Sequence, residues 1–371
     1  MITRLYANNF RCLVAFKTEF ESFGVLCGPN GAGKSSVFDA VRLIRNLATG
    51  DGILGSEGEW DVPRLEFTNW LGDSTTQEFE LGVATEGHDF EYVIHLEQRG
   101  EQEKPRFIKE RATCDGKNLF ERDLEGVRFQ KADGTQTGFP LDWRQAALAV
   151  IQPKGSLREL AILQEAIAKL VILRPNPRGM EQESKSEAKR PDLYLANLTS
   201  WYRSLSQDLD WTLALRNLLQ NVWPDLKSMR LRDVGLNAKV LQFRFDGSIS
   251  DDEGGLFFKQ LSDGEKALVG LYMLRAALAT GSVQTILIDE PDNYVGLPEL
   301  QPWVLSLREL LDEHHQTIII SHHPEILNGA GTGYGRYLWR DYHASPTRIG
   351  PLNIPEGMAP GEAIARGWIR A

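Results

Sequence analysis

Apolar and polar positions alternate at the start of the chain. Residues 2 to 8 and 14 to 20 alternate with a period near two, and residues 23 to 27 form a short apolar run that ends at a glycine-rich loop. Three short strands are predicted there. From about Gly33 the period changes: Val37, Ala40, Val41, Ile44 and Leu47 recur three and four apart, the spacing of one helical face. Residues 60 to 130 return to alternation, clearest at 79–83 and 90–96, with Gly87, Gly100, Gly116 and Gly126 as punctuation. An antiparallel sheet built from hairpins is predicted. Residues 156 to 172 read as an amphipathic helix, 193 to 222 return to helical periodicity, and 231 to 246 return to strands. Between the helical stretches, residues 174 to 192 are rich in proline, serine and charge and are expected to form a mobile linker. There is no internal repeat, and no heptad run is long enough for an extended coiled coil.

Composition narrows the class. With 371 residues, 42% of them hydrophobic, the chain can bury one large core or two smaller ones. No apolar run approaches the ~20 residues of a membrane span, and the first residues lack a signal-peptide pattern. Cys12, Cys27 and Cys114 are scattered and odd in number, and are expected to be reduced thiols of a cytoplasmic protein. The net charge of -10 disfavours a surface that coats nucleic acid, although it leaves room for a local groove. Arg99, Lys104, Arg106, Lys109 and Arg111 are candidates for such a groove. Glu97, Glu101, Glu103 and Glu110 are interspersed among them, so a solvated hairpin face is the competing expectation.

The glycine-rich loop carries the first chemistry. Gly28-Pro29-Asn30-Gly31-Ala32-Gly33-Lys34-Ser35 fits G-x-x-x-x-G-K-[ST], after a strand and before a helix, as a phosphate loop requires. Glycines let backbone N–H groups converge on phosphate oxygens, and the helix N-terminus adds partial positive charge. Lys34 is expected to reach the β- and γ-phosphates, and Ser35 to ligate Mg2+. Asn30, Gly31, Gly33 and Ser36 complete the candidate cradle.

Three further segments follow. Residues 284–291 hold an apolar strand ending in two carboxylates, Asp289 and Glu290, the Walker B pattern: Asp289 for the Mg2+ shell, Glu290 to polarise water. Alone, this pair is equally a strand-end turn. Leu261-Ser262-Asp263-Gly264-Glu265-Lys266 opens a helix; Ser262 and Glu265 make a capping box, and Ser262 with Gly264 makes a candidate second anion site. Residues 317–322 are an apolar strand ending in Ser321 and His322, with His323 adjacent.

Together these segments resemble the ABC ATPase superfamily. LSDGEK is similar to its signature motif, Ser262 lies 27 residues before Asp289, and His322 lies 33 residues after it. The resemblance implies that the signature of one subunit contacts the γ-phosphate held by another, and that His322 senses that phosphate. Lys34 and Ser262 are 228 residues apart, so a large insertion splits the fold. With the opening Asn8-Asn9-Phe10-Arg11 and the sequences DEPDN and SHHPEIL, the chain resembles the RecF/SMC-like branch, and within it compact bacterial ATPases of the OLD type. The resemblance covers residues 1 to 47 and 255 to 330 by motif, and the middle by architecture only. Arg11 is then a candidate for phosphate, with a solvated loop arginine as the alternative. Gln152 is the candidate Q-loop residue and metal ligand, with a surface glutamine at a helix start as the alternative. The D-loop aspartate has no clear counterpart, because Gly296 falls near its place.

The expected fold is α/β: an ABC-type P-loop ATPase head with a mixed sheet, an antiparallel β subdomain and an inserted short helical arm. The expected organisation is an N-terminal lobe at 1–150, a helical arm at 151–230 and a C-terminal lobe at 231–371. The cofactors implied are ATP and Mg2+. The expected function is ATP hydrolysis in a homodimer or higher homo-oligomer that drives or gates DNA repair or antiphage defence. A separately encoded effector, such as a nuclease or toxin, is expected because the sequence shows no second catalytic site, and the 371 residues leave no room for the C-terminal nuclease of OLD proteins. DNA is a possible partner and a membrane is not. The alternative is an ATP-dependent regulatory scaffold that holds a toxin or nuclease without binding DNA.

Overall fold

The computed structural model describes residues 1–58, 60–100, 102–130, 136–153, 157–247, 255–310, 315–330, 333–355, 357–366 and 368–369. Two compact units divide the chain. The first comprises Met1–Leu170 with Arg336–Asn353, the second Val171–Gly335 with Ile354–Ile369.

The first unit opens with β1 (Ile2–Asn8), β2 (Phe16–Glu19) and β3 (Phe23–Cys27), followed by helix α1 (Lys34–Thr49). The predicted apolar face of α1, from Val37 to Leu47, is buried. The helix stops at Gly50, whose left-handed backbone returns an N–H to the Leu47 carbonyl. Next come β4 (Thr76–Thr85), β5 (His88–Glu97), β6 (Arg106–Cys114), β7 (Lys117–Arg122), β8 (Val127–Gln130) and β9 (Gln136–Phe139). They join the first two strands in an eight-stranded antiparallel sheet of order β2-β1-β4-β5-β6-β7-β8-β9. Two of its hairpins turn on Glu86-Gly87 and Asp115-Gly116, both residues of each pair having positive φ. That is the two-residue turn whose twist matches paired strands.

Short helices α2 (Ala147–Val150) and α3 (Arg158–Ala168) complete this stretch. A buried carboxylate ties sheet to helix: Glu110 on β6 accepts hydrogen bonds from Tyr92 Oη (2.8 Å), Ala147 N (2.6 Å) and Leu148 N (2.9 Å). Glu110 therefore belongs to the core and not to a solvated face. The chain also returns here late, as the antiparallel pair formed by residues 335–339 and 348–351.

In the second unit, β10 (Leu170–Leu173) is followed by β11 (Glu183–Ser184), α4 (Leu198–Leu205), α5 (Leu209–Gln220), β12 (Leu226–Asp233), β13 (Lys239–Phe245) and β14 (Leu256–Phe257). Strands β11, β12 and β14 all pair with β13, antiparallel. Then come α6 (Asp263–Ala279), β15 (Thr285–Asp289), α7 (Leu297–Arg308), β16 (Gln316–Ile320) and α8 (Pro324–Ala330). Strand β10 neighbours β15, and β15 pairs in parallel with β16. The last elements are β17 (Gly335–Trp339) and β18 (Arg348–Pro351), already placed in the first unit, and α9 (Pro360–Ala365) in the second. The fold is α/β, with parallel strands among helices and a separate antiparallel sheet, as expected.

Two expectations are corrected. The helix foreseen over 156–172 ends at Ala168, and Leu170–Leu173 form a fully buried strand. Four consecutive apolar residues have no polar face to keep in solvent, and Val171 and Ile172 are β-branched. Residues 174–192 are not an unstructured linker. They contain a 3-10 turn opened by Pro177 and the strand β11, and they bond across to 193–196 through Arg174 N to Leu193 O and Glu181 N to Ala196 O. The Asp192 carboxylate accepts from the backbone of Tyr194, Ala196 and Asn197. Proline and aspartate act here as turn formers. The arm expected at 151–230 thus contains strands as well as α3, α4 and α5. Among the described residues no helix is long and apolar enough to cross a membrane.

Candidate functional site

The phosphate loop lies between β3 and α1 in the first unit. Gly28 and Gly33 have φ of 143° and 95°, and a Cβ on either would collide, with the Leu338 carbonyl and with Thr347 Oγ1 respectively. Both positions therefore require glycine by conformation and by space. Asn30 and Gly31 are exposed at the loop tip, and Ser35 and Ser36 are half-buried in the first turn of α1. Lys34 is buried, and its Nζ donates to the carbonyls of Gly28 (2.9 Å) and Pro29 (3.1 Å). The ammonium is thus held inside the loop, where phosphate oxygens would be cradled. Burial pushes the neighbouring Cys27 thiol up to about 12, against the opposing charge of Lys34, so it stays protonated.

Two loop supports had no motif to announce them. Arg340 donates from Nη1 to Gly31 O (3.2 Å) and lies over the Trp70 ring at 5.3 Å. Thr347 Oγ1 donates to Ala32 O at 2.9 Å. Both come from the late-returning residues of the unit, more than 300 positions along the chain, so spacing around the loop could not reveal them.

Arg11 is engaged by two carboxylates, Asp39 on α1 and Glu66, the latter by Nε (2.5 Å) and Nη2 (3.1 Å). These ion pairs replace the solvated loop arginine that was the alternative expectation. Burial lowers its pKa, and the hydrogen bonds and charges of Glu66 and Asp39 more than reverse that. Gln152 is exposed in the segment after α2.

The second unit holds the carboxylates. All five residues of β15 are buried, and the strand delivers Asp289 with a side chain only 6% exposed. Its partner is Arg174, one residue beyond β10, whose Nε and Nη2 both lie 3.0 Å from Asp289 Oδ2. The side chain seen on Asp289 is that of Arg174, a residue the motifs did not single out. The signal was present as an apolar run followed by a basic residue, but it was absorbed into the helix foreseen over 156–172. Four residues on, Arg178 Nε donates to Asp263 Oδ2 at 3.1 Å, at the start of α6.

Glu290 has φ of 51°, a left-handed conformation rare for a non-glycine residue. Its N–H donates to Ile320 O (2.8 Å), and its Oε2 accepts from Asn293 Nδ2 (2.8 Å), so backbone and carboxylate are both anchored. At the end of β16, Ser321 Oγ donates to Asp292 (2.7 Å) and accepts from His323 N (2.8 Å). His323 Nδ1 in turn accepts from Glu325 N (3.2 Å) at the start of α8. His323 is thereby occupied as a helix cap, and His322 beside it is half-buried.

Helix α6 begins with both halves of the capping box: Ser262 Oγ accepts from Glu265 N (3.2 Å) and Glu265 Oε2 from Ser262 N (2.7 Å). From Ala267 to Leu278 every residue is buried, yet Ser262 is exposed. A Cβ on Gly264 would stand 2.9 Å from the Tyr294 carbonyl, so glycine permits that close approach. Ser35 in the first unit and Asp289 in the second each offer an oxygen donor, the chemistry that Mg2+ takes.

The chain is 22% identical over 347 residues to an OLD nuclease of Thermus scotoductus (strain ATCC 700910 / SA-01), covering 88% of this chain and 59% of that protein. The chain therefore spans less than two thirds of that relative. An SMC head solved bound to the C-winged helix domain of ScpA superposes with a TM-score of 0.58 at 15% identity, over 96% of this chain and 99% of that one. That likeness is one of fold. The SMC head domain from Thermotoga maritima aligns with a TM-score of 0.49 at 15% identity, over 95% and 99% of the two chains. The family described as "AAA domain, putative AbiEii toxin, Type IV TA system" matches residues 23–328, from β3 before the phosphate loop into α8 after the histidines. Since that span takes in the loop, both carboxylates and the capped helix, the chain belongs to this family of AAA ATPase domains.

Proposed function

We propose that the protein is an ATP-hydrolysing switch that closes as a homodimer around ATP and gates a DNA repair or antiphage defence process through a separate effector, a nuclease or a toxin. The observation that carries this reading is the exposed start of α6. A helix buried from Ala267 to Leu278 leaves Ser262 in solvent, with the positive end of its dipole facing outward. Such an end suits an anion arriving from outside the subunit, and the γ-phosphate held by a second copy is that anion. In this reading Lys34, with Asn30, Gly31, Gly33 and Ser36, binds the phosphates, while Ser35 and Asp289 hold Mg2+. His322 senses the γ-phosphate, Glu290 orients the water that attacks the γ-phosphorus and takes its proton, and ADP leaves. Binding energy spent on closure makes turnover slow and open to gating by a partner.

The reading is tested by light scattering in ATP. Glu290→Gln should accumulate as a dimer without turnover, and Lys34→Ala should remain monomeric. Identical behaviour of the two variants would sink it.

One observation favours the scaffold alternative over direct DNA contact. Arg99 and Arg106 both pair with Glu97, and Arg111 pairs with Glu91, so three of the five candidate groove cations are already engaged by carboxylates. Stimulation of ATP hydrolysis by duplex DNA separates the two: a several-fold rise favours the DNA-linked role, and none favours the scaffold.

A further inference from the structure

Arg174 occupies a position that no motif assigns. It follows β10 directly, and β10 lies beside the strand that delivers Asp289. Its side chain is 40% exposed while that of Asp289 is 6% exposed, so the guanidinium sits on the solvent side of a buried carboxylate. Nε and Nη2 both point at the same oxygen, Oδ2, at 3.0 Å. The backbone at this point is fixed as well, since Arg174 N donates to Leu193 O at 2.6 Å.

A buried carboxylate needs a compensating positive charge. A divalent cation on Asp289 supplies that charge too, and a guanidinium in contact with the same oxygen would repel it. We propose that Arg174 is a positioning residue, the resting counter-ion of Asp289, which a divalent cation must displace as nucleotide loads. It keeps Asp289 folded into place without metal and sets how much divalent cation is needed to load the site. This rests on the reading of Asp289 as a metal ligand. The pairing resembles a latch: one oxygen accepts either two N–H donors or a cation, and the partly exposed arginine is the member able to move.

The test uses the full chain and Mn2+, an oxygen-seeking ion detectable by electron paramagnetic resonance, with a saturating non-hydrolysable ATP analogue. Arg174→Gln should bind Mn2+ roughly tenfold more tightly than wild type, the scale of effects exerted by groups behind metal ligands. Without metal it should melt at lower temperature than wild type, and Mn2+ with the analogue should recover more of its melting temperature than they add to wild type. Arg174→Lys, which keeps the charge, should fold and fall between the two in Mn2+ affinity. Equal or weaker Mn2+ binding by Arg174→Gln, provided Asp289→Asn loses the ion, overturns the proposal alone. If Asp289→Asn binds Mn2+ as wild type does, the metal-ligand reading itself fails, and the proposal with it.

Discussion

Glu290 holds a left-handed backbone at the end of the strand that delivers Asp289. A left-handed backbone costs a non-glycine residue about 1–3 kcal/mol when the surroundings impose it, and here the bond from its N–H to Ile320 O and the contact with Asn293 impose it. Glycine adopts that conformation freely. Glu290→Gly is therefore expected to raise stability to denaturant by about 1 kcal/mol while abolishing ATP turnover. A variant that is both less stable and inactive would show that the carboxylate's contacts outweigh the strain. Nearby, His323 accepts a helix N–H through Nδ1.

Helix α6 combines two roles at the scale of one element. Its start is a capping box, worth about 1 kcal/mol when the serine oxygen is removed, and the same serine is the proposed anion contact. The two roles separate by mutation. Ser262→Ala should lose about 1 kcal/mol and also the ATP-dependent dimer. Glu265→Ala should lose a similar or smaller amount, because it removes the reciprocal bond to Ser262 N, and should keep the dimer. Loss of the dimer in both variants would mean that the cap alone accounts for the effect. The strand β10 teaches the converse lesson. As part of a helix, Leu170–Leu173 would carry nothing, but as a strand they deliver Arg174 to Asp289.

Across the whole molecule, each compact unit contains a buried acidic proton that must stay in place. Burial pushes Cys27 in the first unit up to about 12, and Tyr202 in the second likewise to about 12. Both pKa values are raised above those of the unfolded chain, near 9.0 for the thiol and 10.0 for the phenol. The stability they contribute is therefore fully present below about pH 9 and is lost as pH rises through the folded values. Melting temperature should be level from pH 7 to 8.5 and fall steadily from about pH 9 towards 12. A level curve through pH 11 would mean that these groups meet water or move on titration.

By itself the sequence determined the local features whose causes lie within a few residues. These are the loop glycines at Gly28 and Gly33, the face of α1, the hairpin turns at Glu86-Gly87 and Asp115-Gly116, the cap at Ser262, and the strands that lead to Asp289 and His322. Each follows from periodicity, φ preference or a spacing of three or four residues, and together with the family's motif order they announce a P-loop ATPase. Tertiary structure decided the pairings between residues far apart in sequence. Arg340 and Thr347 brace the phosphate loop, Asp39 and Glu66 take Arg11, Glu110 is buried against the start of α2, and Arg174 covers Asp289. An arginine's partner is set by which carboxylate the folded chain brings within about 3 Å, and no local pattern encodes that. The same holds for residues 174–192: their composition reads as a linker, and only the partners at 193–196 and on β13 turn it into ordered structure.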